Sequence, residues 1–138
     1  MIKVGLLGCG TVGSGVVKLL QQNQEVIAQR VGQEVVITKI MELDRAKVYD
    51  LGLSDEIIAG SIDEVLDDGV DIVIELIGGI EPAKTYILQA LRQGKGVVSA
   101  NKDLIASHGR EIFDTAAEHE VDFYFEASVG GGIPIVFS

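Results

Sequence analysis

The hydrophobic positions of this chain predict short buried strands that alternate with amphipathic helices. Residues 2–7 form a continuous apolar run, and residues 35–41 form a second run that is rich in β-branched side chains. Such runs are typical of strands buried on both faces of a parallel sheet. Between them, apolar residues from Thr11 to about Arg30 recur at helical spacing, and Gly32 marks the expected end of that helix.

The same alternation continues along the rest of the chain. We predict strands at residues 71–77, 96–99 and 121–126, and helices at residues 46–51, 62–66, 82–92, 104–106, 109–119 and 134–137. Strands and helices in alternation favour βαβ units with right-handed crossovers. The predicted fold class is therefore α/β, with a mostly parallel sheet and helices on both faces.

A glycine-rich turn joins the first strand to the first helix. Gly8, Gly10 and Gly13 have the spacing G-x-G-x-x-G. In this context the first glycine permits a tight turn, the second lets a pyrophosphate approach the backbone, and the third brings helix and strand together. Free amides where the helix begins, at Thr11 and Val12, favour an anion. The turn predicts a doubly wound, Rossmann-type fold that binds a dinucleotide.

The end of the second strand carries the residue that we expect to select the cofactor. An acid at this place accepts hydrogen bonds from the adenosine ribose. Glu42 occupies it, although it lies beyond the usual offset of about 20 residues from the glycines. A carboxylate repels a 2′-phosphate, which favours NAD over NADP. Two alternatives stay open: Arg45 or Lys47 could accept that phosphate, or Glu42 could be only a solvated loop acid.

A second group of glycines follows the third predicted strand. Ile77 and Gly78 lie where ligands bind in doubly wound folds, beyond the carboxyl ends of the strands. With Gly79, they would let the nicotinamide half of a dinucleotide lie against the backbone. A tight turn before Pro82 explains the same glycines without a ligand.

Composition narrows the possible functions. The chain has 138 residues and a net charge of −10, so we expect no nucleic-acid partner, because phosphate-backbone binding needs clustered Lys and Arg. The single cysteine, Cys9, lies inside the glycine turn and is interpreted as a packing residue. His108 and His119 lack the spacing of metal ligands. No apolar run reaches transmembrane length, so we expect no membrane partner and a cytoplasmic location.

Four segments together resemble the N-terminal domain of homoserine dehydrogenase. They are residues 4–13 (VGLLGCGTVG), 75–79 (ELIGG), 100–104 (ANKDL) and 126–135 (EASVGGGIPI). Many dehydrogenases share the glycine turn, whereas the last two segments in combination are more specific. The resemblance implies an NAD(P)-dependent oxidoreductase that interconverts L-homoserine and L-aspartate 4-semialdehyde by hydride transfer, on the route to threonine and methionine.

The resemblance also assigns roles to particular residues. Lys102 matches a catalytic lysine beside the nicotinamide and the substrate, and Asn101 belongs to the same cofactor-binding segment. A lysine ammonium can stabilise the charge that develops on a carbonyl oxygen or donate a proton to it, although most lysines are simply surface residues. The family's monovalent-cation site, for Na⁺ or K⁺, would be formed by oxygens of Glu126, Val129, Gly131 and Ile133. Glu126 could instead cap the following turn.

The resemblance implies a division of the protein into domains. We expect residues 1–132 to form the dinucleotide-binding domain and residues 133–138 to begin a missing domain for catalysis and dimerisation. The fragment is then expected to bind cofactor without turnover, and the full-length protein to be a homodimer with a small-molecule substrate.

Other functions stay open at this point. A related amino-acid or semialdehyde dehydrogenase would share this domain, and so would a non-catalytic module that senses NAD(H). A methyltransferase is a weaker alternative, because the third glycine comes one residue later than in G-x-G-x-G.

Overall fold

The structure, a computed structural model, describes residues 1–67 and 69–125. Its strands are β1 (Ile2–Leu7), β2 (Val35–Met41), β3 (Ile72–Glu75), β4 (Gly96–Ser99) and β5 (Phe123–Phe125). Its helices are α1 (Thr11–Gln22), α2 (Gln24–Val31), α3 (Arg45–Tyr49), α4 (Ile62–Asp67), α5 (Ala83–Arg92) and α6 (Lys102–Glu118), with one 3₁₀ turn at Asp55–Ile57.

The strands form one parallel sheet in the order β2-β1-β3-β4-β5. β2 lies on one side of β1, and β3 lies on the other side. The strand order therefore reverses its direction at β1. This reversal creates a crevice at the carboxyl ends of β1 and β3, where ligands bind in doubly wound folds. The predicted fold class is confirmed.

A short segment beyond β2 completes the topology. Ile58 forms a single parallel bridge with Ile40, and the amide of Ala59 donates to the Ile40 carbonyl over 2.9 Å. This segment occupies the place of the outer strand in the classic six-stranded dinucleotide-binding order. In the described part of the chain, that strand is reduced to one bridge.

Helices cover both faces of the sheet. α1, α2 and α3 pack on the face that contains Val4 and Leu6, and α4, α5 and α6 pack on the face that contains Leu7. Gly5 allows α4 to lie very close to β1, because a Cβ at this position would lie 2.5 Å from Cγ1 of Val65. Because helices cover both faces of β1, every residue of this strand except Lys3 is apolar.

The helix predictions are wrong in detail in two regions of the chain. The helix predicted from residue 11 to about residue 30 is divided at Asn23, which has φ −119° and ψ 24° and whose Nδ2 donates to the carbonyl of Leu19 over 2.9 Å. The helices predicted at residues 104–106 and 109–119 are joined into α6, in which only His108 departs from helical geometry, with φ −134°. A side-chain cap by Asn101 begins this helix earlier than the sequence indicated.

The predicted boundaries of the strands are closer to the observed ones. β1, β2 and β4 have the predicted bounds, whereas the predicted strand 71–77 is shortened to β3 because the chain turns after Glu75. The helix predicted at residues 134–137 lies outside the described residues.

Candidate dinucleotide-binding site

The three glycines of the turn have different surroundings. Gly8 has φ +93°, and a Cβ there would lie 3.2 Å from the backbone of Leu76. A Cβ on Gly13 would lie 2.6 Å from the carbonyl oxygen of Gly8, so this glycine sets the close packing of α1 on β1. A Cβ on Gly10 would meet no atom of the described residues within 4 Å. The space beside Gly10 is therefore open, as the approach of a pyrophosphate requires.

The first turn of α1 is suited to an anion. Gly10 is its N-cap residue and offers no side chain, and the first turn contains no acidic residue. Thr11 and Val12 are exposed there. The first amides of a helix have no partner within the helix, and the helix dipole adds a partial positive charge. A phosphate group fits this end of α1.

A cleft of about 380 Å³ lies on the β2 side of the glycine turn. It is lined by Gly8, Gly10, Met41, Glu42, Leu43, Lys47, Leu76, Ile77, Pro82 and Tyr86. We call it the larger cleft. Glu42 and Lys47 bring opposite charges to it, while Leu43 is 99% exposed at its mouth. An apolar lining with a few charged groups is typical of a site for a small molecule.

Glu42 is held between two backbone amides. Its Oε1 accepts a hydrogen bond from the amide of Cys9 over 2.7 Å, and its Oε2 accepts one from the amide of Asp44 over 3.0 Å. Partial burial raises the pKa of Glu42, but these amides and the charge of Lys47 outweigh burial, so the net pKa lies below its ordinary value. The carboxylate is ionised at neutral pH.

The two predicted cations near Glu42 are placed differently. Lys47 lines the larger cleft. Arg45 pairs with Asp55 over 3.4 Å, and Tyr49 also donates a hydrogen bond to Asp55. Lys47 is therefore the cation available to a ligand in this cleft, whereas Arg45 belongs to a surface cluster.

Cys9 is buried among the side chains of α1 and α3, with Sγ 4.0 Å from Oγ of Ser14. Burial raises the pKa of the Cys9 thiol, and the negative charge of Glu42 acts in the same direction. A neutral buried thiol is a poor nucleophile. This supports a packing role for Cys9.

A second cleft, of about 200 Å³, lies on the β3 and β4 side of the turn. It is lined by Val12, Glu75, Leu76, Gly78, Ala100 and Asn101. We call it the smaller cleft. The structure separates two residues that were predicted together, because Ile77 lines the larger cleft and Gly78 the smaller one. The glycine turn lies between the clefts, so an extended dinucleotide could reach both.

Asn101 and Lys102 stand at the beginning of α6. Asn101 is buried, and its Oδ1 accepts from the amide of Leu104 over 3.1 Å while its Nδ2 donates to the carbonyl of Gly79 over 2.6 Å. Lys102 is exposed. Within residues 1–67 and 69–125, no carboxylate forms an ion pair with its ammonium. Lys102 is thus available to a ligand at this edge of the sheet.

Sequence reasoning missed the role of Glu75 and Ser99. Glu75 is the last residue of β3 and is fully buried, although it lines the smaller cleft. Its carboxylate accepts a hydrogen bond of 2.6 Å from Oγ of Ser99. One feature of the sequence could have indicated this role, because Glu75 ends an otherwise apolar strand. An acidic side chain is almost never fully buried unless its charge is paired.

The cation-site residues Glu126, Val129, Gly131 and Ile133 lie outside the described residues, and their role remains a prediction. In the part of the chain that is described, no group of three or more His, Cys, Asp or Glu side chains could hold a metal ion. None of the described helices is long and apolar enough to cross a membrane.

His108 lies within α6 and His119 is the C-cap residue of that helix, and neither lines the larger or the smaller cleft. His108 Nδ1 lies 3.9 Å from a carboxylate oxygen of Glu111, and His119 Nδ1 lies 3.0 Å from the carbonyl of Thr115. Both contacts are local to the helix.

Similarity to known proteins identifies the family. The family described as "Homoserine dehydrogenase, NAD binding domain" matches residues 8–126. The chain belongs to the homoserine dehydrogenase family. It is 50% identical to the homoserine dehydrogenase of Bacillus subtilis over 136 residues, which cover 98% of this chain and 31% of that protein.

Solved structures agree with this assignment. The crystal structure of a homoserine dehydrogenase from Thiobacillus denitrificans superposes with a TM-score of 0.84 at 43% identity, covering 92% of this chain and 30% of that one. A homoserine dehydrogenase from S. aureus gives a TM-score of 0.83 at 39% identity, covering 91% and 32%. The chain therefore spans about a third of the length of its homoserine dehydrogenase relatives. The family assignment also removes the methyltransferase alternative.

Proposed function

We propose that this chain is the cofactor-binding domain of a homoserine dehydrogenase and binds NAD(P) across the glycine turn. The observation that carries the proposal is the open space beside Gly10, at the start of α1 and between two clefts. The pyrophosphate lies at the first turn of α1, the adenosine in the larger cleft and the nicotinamide in the smaller one. Thr11, Val12 and Gly13 form that first turn.

The cofactor is NAD rather than NADP. Glu42 cannot turn away easily, because both of its carboxylate oxygens accept hydrogen bonds from backbone amides. Each oxygen keeps a lone pair that can accept a ribose hydroxyl. A 2′-phosphate would instead place its negative charge beside an ionised carboxylate. The ammonium of Lys47 would attract a 2′-phosphate, but a lysine carries its charge on a flexible side chain. The carboxylate of Glu42, in contrast, is fixed in place by its hydrogen bonds.

The whole protein interconverts L-homoserine and L-aspartate 4-semialdehyde. Lys102 directly follows Asn101, which lines the smaller cleft, and its ammonium stabilises the charge on the substrate oxygen during hydride transfer. Residues 1–132 form the cofactor domain, and the substrate-binding groups lie in the part of the enzyme beyond it, so this chain alone binds cofactor without turnover. A homodimer, a cytoplasmic location and a monovalent cation at Glu126, Val129, Gly131 and Ile133 belong to the same proposal.

The test is a calorimetric titration of the folded chain with NADH and, separately, with NADPH. We expect tighter binding of NADH, and we expect Glu42→Gln to reduce the preference while Glu34→Gln, an exposed acid, leaves it unchanged. Tighter binding of NADPH would show that Lys47 determines the preference. Binding of neither dinucleotide by folded protein would refute the site itself.

A further inference from the structure

A buried carboxylate connects the two loops that border the smaller cleft. Oε2 of Glu75 accepts hydrogen bonds from the amides of Ile77 and Gly78 over 2.9 Å and 3.1 Å, and Oε1 accepts one from Oγ of Ser99 over 2.6 Å. All three partners are donors, which suits an ionised carboxylate. Hydrogen bonds to a charged group are stronger than those between neutral groups.

These contacts belong to a closed ring of hydrogen bonds. Oγ of Ser99 accepts from the amide of Asn101 over 3.1 Å, and Nδ2 of Asn101 donates to the carbonyl of Gly79 over 2.6 Å. The backbone from Glu75 to Gly79 closes the ring. It joins the loop after β3 to the residue that caps α6, immediately before Lys102.

We propose that Glu75 is a positioning residue, which holds the loop at residues 76–79 and the beginning of α6 in one arrangement for the nicotinamide half of the cofactor. This inference rests on the proposed function, which assigns the nicotinamide to the smaller cleft. The hydrogen-bond partners of the Glu75 carboxylate are two loop amides and the hydroxyl at the end of β4. The contacts of Glu75 are therefore concentrated at the edge of the sheet that borders the ligand site.

The loop needs such an anchor. Gly78 and Gly79 have φ +83° and +71°, and a Cβ on either would meet no atom of residues 1–67 and 69–125 within 4 Å. Glycine has no side chain that could fix its conformation by packing, and it has the greatest backbone freedom of any residue. The Glu75 carboxylate replaces that missing constraint, so that ordering of the loop is not required when the cofactor binds.

The experiment compares two ligands that share the adenosine and pyrophosphate: NADH and ADP-ribose, which lacks the nicotinamide. Glu75→Gln keeps the shape of the side chain but removes its charge. We expect the dissociation constant for NADH to rise about tenfold, as for the loss of charged hydrogen bonds. That for ADP-ribose, whose adenosine lies beside Ile77 in the larger cleft, should rise by a clearly smaller factor. Ser99→Ala, which removes one contact, gives a smaller change of the same kind. Glu118→Gln, at an exposed position of α6, is the control.

The outcomes separate the possibilities. Equal losses for NADH and ADP-ribose would show a general structural effect and overturn the positioning role, as would unchanged binding of both. If Glu75→Gln fails to fold, Ser99→Ala provides the same comparison and decides the inference. Failure of the unsubstituted chain to bind ADP-ribose and NADH would refute the proposed function, which is a different result.

Discussion

The carboxylate of Glu42 accepts a hydrogen bond of 2.7 Å from the backbone amide of Cys9, which ties the end of β2 to the glycine turn after β1. The acid proposed to bind the ribose and the turn proposed to bind the pyrophosphate are therefore held together in the folded chain. Because the contact is made by the backbone of Cys9, it does not depend on which side chain stands there. If the dinucleotide binds as proposed, the ribose site and the pyrophosphate site are thus arranged before it binds.

This contact makes the stability of the chain depend on pH. The pKa of Glu42 in the folded state lies below its value in the unfolded chain, which is about 4.3. The ionised carboxylate thus stabilises the fold fully above that value, and the contribution is lost as the pH falls through the lower folded-state pKa.

We therefore expect Glu42→Gln to lower the free energy of unfolding near neutral pH, and this effect to be lost as the pH falls below the unfolded-state pKa and through the lower folded-state pKa. Urea unfolding at a series of pH values measures it, with the exposed Glu34→Gln as the matched control. A difference from the unsubstituted chain that does not become smaller at any pH below the unfolded-state pKa at which both proteins still fold would contradict the lowered pKa of Glu42.

Substitutions at two glycines of the turn should have different effects: Gly13→Ala should lower stability, and Gly10→Ala should lower the affinity for the dinucleotide. Gly13→Ala places a Cβ 2.6 Å from the carbonyl oxygen of Gly8, and we expect a loss of about 1–3 kcal/mol of stability, as for other overpacked sites. The new methyl group of Gly10→Ala meets no atom of residues 1–67 and 69–125 within 4 Å, and at an N-cap position the substitution costs less than about 1 kcal/mol. It fills the space for the pyrophosphate, so the affinity for NADH falls at least about tenfold, or 1.4 kcal/mol.

Chemical denaturation and calorimetric titration of these two variants provide the measurement. Unchanged NADH affinity in a folded Gly10→Ala variant would mean that the dinucleotide does not pass this residue.

The sequence was sufficient to predict the fold because the apolar runs and the glycine turn are local patterns. The turn at Gly8 to Gly13 and the strand bounds of β1, β2 and β4 follow from them. What the sequence did not reveal depends on contacts between distant residues. Glu75 and Ser99 are 24 residues apart and meet only because β3 and β4 are neighbours in the sheet.

The wrong helix predictions in two regions of the chain have a related cause. Asn23 belongs to a polar run, and apolar spacing on either side of it indicated one continuous helix. Its side chain bonds back to Leu19, and the backbone there leaves helical geometry. At α6 the opposite occurred, because the cap formed by Asn101 starts the helix early and α6 continues past the distorted His108. Hydrogen bonds of individual polar side chains decide such boundaries, whereas hydrophobic periodicity does not.

A second packing prediction concerns Gly5 in the central strand. Gly5→Ala brings a Cβ to 2.5 Å from Cγ1 of Val65, and we expect a loss of about 1–3 kcal/mol. Val65→Ala removes that methyl group but leaves a cavity in the core. In the double variant the new methyl fills part of the cavity, so its loss is smaller than the sum of the two single losses. A double-mutant cycle measured by urea unfolding gives a coupling energy of about 0.5 kcal/mol or more. Additive losses would mean that the two residues do not compete for this space.

Substitution of Lys102 tests whether this domain contributes a catalytic residue to the full-length enzyme. Its cation stands at the N-terminus of α6, where the helix dipole disfavours positive charge by about 0.3–1 kcal/mol. Lys102→Ala should therefore leave the stability of this chain unchanged or slightly raised. In the full-length enzyme it should lower kcat by about 10²–10⁴-fold, the contribution typical of a general acid.

Lys18→Ala, at an exposed position of α1, is the control and should leave both the stability and kcat unchanged. Turnover by the Lys102→Ala enzyme at the unsubstituted rate would remove Lys102 from the mechanism. Cofactor binding without turnover by the unsubstituted full-length protein would favour a module that senses NAD(H).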